Sequence, residues 1–70
     1  MITTEDLLIT KHVQNKMNVE GIGINQIIEA LERGSKFSQT DGLLVVYNYF
    51  SVAYKQIGQK YIIKTVFLNR

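Results

Sequence analysis

The sequence has no cysteine, no proline and no tryptophan, and it carries a single histidine. Without cysteine there can be no disulfide and no thiolate cluster, and one imidazole cannot build a zinc site from several. No metal and no cofactor is implied. The chain is 70 residues long, which is one domain, 1–70. A domain of this size buries only about 60% of the surface its unfolded chain exposes. Close packing or a partner must therefore supply the stability that staples give other small proteins. Long apolar runs are also missing: "GLLVVYNYF" is interrupted by Asn48 and falls short of the roughly 20 residues a membrane span needs. "MITTEDLL" has neither the basic region nor the apolar run of a targeting signal. A chain without membrane segment or cysteine is expected to be cytoplasmic.

Charge is present but unevenly spread. Residues 1–34 hold three cations against five carboxylates, a net of −2, and residues 35–70 hold five cations against Asp41 alone, a net of +4. A basic half can attract phosphates. Equally, lysines on a sheet surface discourage unwanted edge pairing.

No repeat, linker or low-complexity segment is visible, and the glycines fall at element boundaries. Leu7–Ile9 reads as a short strand or an apolar lead-in. Thr10 is a candidate N-cap for a helix over about 11–18, with Ile9, Val13 and Met17 in one stripe and His12 and Lys16 in the next. Gly21 is a natural stop. A second helix begins after Gly23. Gln26 falls where a capping-box side chain belongs, Ile22 and Ile27 occupy the staple positions, and Ile24, Ile27, Ile28 and Leu31 share one face. Gly34 ends it.

Beyond Gly34 the pattern turns extended. Lys36–Thr40 is a polar strand candidate, and Asp41-Gly42 signals a type I′ hairpin. Leu43–Tyr54 reads as one long strand, apolar on both faces, and Tyr61–Leu68 as the last. The expected fold is α+β, with two short N-terminal helices packed on one face of a three- to four-stranded antiparallel sheet. The other face should stay partly open and display tyrosines and lysines.

Three segments, in this order, carry a resemblance: "TKHVQNKMNVEGI" (Thr10–Ile22), "LLVVYNYF" (Leu43–Phe50) and "YIIKTVF" (Tyr61–Phe67). Together the segments resemble a small bacterial domain family of unknown function with the motif T-x-H-A-x-x-R-M-x-x-R-G-I, which is itself similar to RelE-like and BrnT-like endoribonuclease toxins. Lys16 stands where that family has arginine, and Glu20 where a second arginine is common. The resemblance implies a metal-independent endoribonuclease or RNA-binding protein from a toxin–antitoxin or mobile-element system, with an antitoxin-like partner covering its site.

Cleavage of RNA without a metal needs a proton-transfer group and a cation at the scissile phosphate. His12 is the only histidine, and an unperturbed imidazole titrates near neutrality. Lys16, one turn on, would contact the phosphate as a point charge. Lys60, Tyr61 and Lys64 on the last strand, with Tyr54, would complete an RNA-binding surface. The plainer reading makes the aromatic residues core and His12 a capped helix start. A second function then competes: a non-catalytic interaction module on the same fold, binding a protein or forming a homodimer through its open sheet face or an edge strand.

Overall fold

The computed structural model describes residues 1–69; Arg70, counted in the basic half above, lies outside the described residues. After a short 3₁₀ turn at Thr4–Asp6 come β1 (Leu7–Ile9), α1 (Lys11–Glu20), α2 (Ile24–Arg33), β2 (Ser35–Gln39), β3 (Gly42–Tyr47), β4 (Phe50–Ile57) and β5 (Lys60–Leu68). The five strands form one sheet in the order β1-β5-β4-β3-β2. β1 runs parallel to β5 and every other pair is antiparallel. The α+β class therefore holds. The sheet is mixed and five-stranded, however, and the helices follow its first strand.

Both helices are set by local chemistry. Thr10 accepts the Val13 amide on its hydroxyl at 3.3 Å. At the other end Gly21 takes φ 73°, and the Ile22 and Gly21 amides donate back to Met17 and Asn18 at 2.9 and 3.3 Å. That is the Schellman closure, and it needs the left-handed backbone that glycine adopts without strain. In α2 the Gly23 amide donates to Gln26 Oε1 at 2.8 Å. Ile22 and Ile27 are both buried beside that cap, as a hydrophobic staple requires.

The helices cover one face of the sheet, α1 over β5 and α2 over β3 and β4. The core between the layers is Val13, Met17, Ile27, Ala30 and Leu31 from the helices against Val45, Phe50, Val52, Tyr54, Ile63 and Val66 from the strands. Two sequence expectations are corrected here, and a bulge adds a feature the sequence does not show. The first hairpin turns at Thr40-Asp41, one residue earlier than expected, and Gly42 pairs with Gln39. That register sets Phe37 opposite Leu44 and Lys36 opposite the buried Val45. The long strand over Leu43–Tyr54 is two strands, because Asn48 takes φ 53° and folds Tyr47 back onto Phe50. Asparagine tolerates that left-handed conformation better than most residues. Finally, a register shift at Ala53/Tyr54 makes Lys64 an extra residue in β5. A bulge of this kind breaks the alternation, so Ile63 and Val66 both reach the core.

One core group has an unmet need. Tyr54 is fully buried, and its hydroxyl has no hydrogen-bond partner among the described residues. Leaving a buried hydroxyl unpaired costs about 1–3 kcal/mol, so Tyr54→Phe is expected to raise stability in urea unfolding. Burial, and secondly the neighbouring Tyr61, raise the Tyr54 phenol above the usual value of 10.0. The unfolded chain then releases this proton first. The associated stability is whole below pH about 10 and is lost as pH climbs toward the folded-state value. Unfolding measured from neutral to strongly alkaline pH should show a shallower decline for Tyr54→Phe; identical slopes would refute this assignment.

Candidate interaction surface

The residues expected to handle RNA do not converge. His12 lies in the first turn of α1, exposed to solvent. Lys16 is half-buried one turn on and lines a shallow cleft with Glu20, Phe67, Leu68 and Asn69. The carboxylate of Glu20 thus shares the cleft in which Lys16 would meet a phosphate. Lys60 stands at the β4–β5 turn and donates to the Glu5 carbonyl at 2.9 Å. Lys64 donates to the Asp41 carbonyl at 2.5 Å and approaches its carboxylate at 3.4 Å, while Lys55 reaches the same carboxylate at 3.8 Å. Tyr61 is half-buried on the helix-covered side of the sheet, its ring centroid 5.9 Å from that of Tyr54. Tyr54, expected to offer a ring for stacking, is sealed in the core because the β3–β4 turn puts it on the covered face with Phe50 and Val52.

Lys55, Lys60 and Lys64 are thus engaged within the domain itself, while Lys36 is exposed on β2. Among the described residues no group of three or more His, Cys, Asp or Glu side chains could hold a metal ion. Among the same residues no helix is long and apolar enough to cross a membrane.

The uncovered face of the sheet is chemically more pointed. Cross-strand register lines up Phe37, Leu44, Ala53 and Thr65 in one row, and Val46, Ser51 and Phe67 in the next. Leu8, Ile62 and Lys55 form a third. Leu8 is 50% exposed, Phe37 54%, Ile57 56% and Phe67 38%. Sequence reading expected tyrosines and lysines here. The lysines are present, tied to Asp41 at one end. The tyrosines are not: Tyr47, Tyr54 and Tyr61 lie on the covered side, and Tyr49 sits in the β3–β4 turn, where its hydroxyl accepts from Gln26 Nε2 at 3.0 Å. The face is an aliphatic and phenylalanine surface, visible only once the hairpin turns are located. Ser51 is the exception, a buried hydroxyl on this side that donates to Asn69 Oδ1.

Compared with protein-family models, with curated proteins and with solved structures, the chain has no significant match. The resemblance to toxin-like domains rests on its three short motifs alone.

Proposed function

We propose that this domain is a protein-interaction module that holds a protein partner against the uncovered face of its sheet. One observation carries the reading: apolar side chains of all five strands stand in register on a face that no helix or strand among the described residues covers. Exposed apolar side chains gathered on one face in this way mark an association site more often than an idle surface. Two cations stand within this face, Lys55 in the row of Ile62 and Leu8 and Lys64 beside Thr65, and both reach the Asp41 carboxylate. A photo-crosslinking residue placed at Leu44 or Phe67 should yield a discrete protein adduct in cells, and one at Gln14 on the outer side of α1 should not. Thr65→Lys should abolish the adduct. Equal or absent labelling at all three positions would sink the reading.

A second reading keeps the motif order: an endoribonuclease or RNA-binding protein of a toxin–antitoxin system, with His12 moving the proton and Lys16 at the phosphate. The free, exposed ring of His12 beside the Lys16 turn favours it. Glu20 in the same cleft and the internal ties of Lys60 and Lys64 weigh against it. Cleavage of RNA by the wild-type chain and its loss in His12→Ala would establish this reading, and intact RNA in both would dispose of it.

A further inference from the structure

The sheet ends on one side at β2, and no strand among the described residues lies beyond it. Every residue of β2 is exposed. That includes Lys36 and Ser38 on the covered side of the sheet, so the helix layer stops short of this edge. The flanking residues of a two-residue hairpin turn exchange hydrogen bonds with each other. Gln39 and Gly42 flank such a turn. Alternation then points the backbone groups of Gln39, Phe37 and Ser35 toward β3, and those of Lys36 and Ser38 outward. Natural edges are protected by proline, bulges or inward-pointing charge. β2 has neither proline nor bulge, and Lys36, on the covered side, is its only charged residue.

We infer that a second copy of this chain pairs with β2, antiparallel about a two-fold axis at Phe37. In that register Lys36 stands opposite Ser38 of the other copy, and both residues have free backbone donors and acceptors. Four inter-chain hydrogen bonds form, and no like charges meet. Phe37 stacks against its own counterpart as a non-hydrogen-bonded pair, where side chains approach most closely. Centring the axis on Lys36 instead would set lysine against lysine. The two sheets become one, and both apolar faces remain open on the same side. The inference rests on reading the domain as an interaction module but uses a different surface. Edge pairing buries less than the 1,200–2,000 Å² or so of a standard interface, so the dimer is reversible.

Sedimentation of the whole chain from micromolar to millimolar concentration should show monomer–dimer exchange. Ser38→Pro removes an outward N–H and leaves the ladder to β3 alone; it should give a monomer with an unchanged circular dichroism spectrum. Ser38→Asp sets a carboxylate opposite each Lys36 and should tighten the dimer by roughly 2- to 30-fold. A wild-type monomer throughout, or a dimer indifferent to both substitutions, overturns the proposal. A dimer that survives Ser38→Pro and disappears with Phe67→Lys would move the contact to the open face, refuting the edge while sustaining the interaction reading. Loss of the photo-adducts with the edge dimer intact would do the reverse.

Discussion

Gly34→Ala is expected to leave most of the chain unfolded at room temperature. Gly34 joins α2 to β2 with an ordinary backbone, φ −73° and ψ 167°. Conformational freedom is therefore not what the position demands. Space is. A methyl group there would come within 2.6 Å of the Ala30 carbonyl oxygen and 2.9 Å of the Val46 carbonyl oxygen, and closer still to Val45 Cγ2. Two of these three obstacles are backbone, one in the last turn of a helix and one in a central strand, so neither can yield cheaply. Overpacking a well-filled site costs about 1–3 kcal/mol and more where backbone must shift. The whole stability of a domain this small is about 3–5 kcal/mol. Gly21→Ala is the informative contrast. Nothing lies within 4 Å of a Cβ at Gly21, and only its φ of 73° is strained, which costs about 1–2 kcal/mol. Urea midpoints should therefore rank wild type above Gly21→Ala, with Gly34→Ala lacking a cooperative transition. A folded Gly34→Ala with a near-native midpoint would mean that the helix–sheet junction is looser than described.

Phe50→Ala is expected to be nearly as damaging, for the opposite reason. Phe50 is 1% exposed and opens β4. Its ring meets Tyr47 edge-on at 6.1 Å and Tyr49 at 5.4 Å. Truncation removes core volume that the rigid hairpin cannot refill, at about 3–5 kcal/mol. It also strips the β3–β4 turn of the ring that both tyrosines lean on, contacts worth about 0.5–1.5 kcal/mol each. Phe50→Leu preserves most of the volume and should cost under about 1.5 kcal/mol. If the two variants unfolded at the same urea concentration, the cavity account would be wrong.

The parts of this fold that could be read in advance are those whose causes are local. α2 is the clearest case, since its cap, staple and apolar stripe all lie within a dozen residues. α1 shows the same, with Thr10 and Gly21 at its two ends. The strands were legible as extended segments but not as a sheet. Asn48 is a lone turn former among aromatic and β-branched residues, so the β3–β4 turn was hidden, and with it the side on which each later residue falls. The bulge at Lys64 likewise depends on pairing with β4. Lys64 falls within an apolar strand, and the extra residue that frees it from the core cannot be seen along the chain. The candidate surface was obscured for the same reason: it is a product of register across five strands. His12 and Lys16 were legible only as a motif. Their spacing is local and holds in α1, while Tyr54 and Lys64 lie in the core and on the opposite face.

The pairing of β1 with β5 has a consequence for how the chain comes to be folded. The first strand finds its neighbour in the last one, with Leu7 beside Tyr61, and α1 rests chiefly on that same final strand. A ribosome delivers β1 and α1 first and their docking site last. The β2–β3–β4 meander, whose contacts are between neighbours in sequence, can zip as it emerges, but the N-terminal segment must wait. Contacts so distant along the chain slow folding. During that wait the apolar stripe of α1 is unsheltered, and the newborn chain is most in need of a chaperone in the moments before residue 68 clears the exit tunnel.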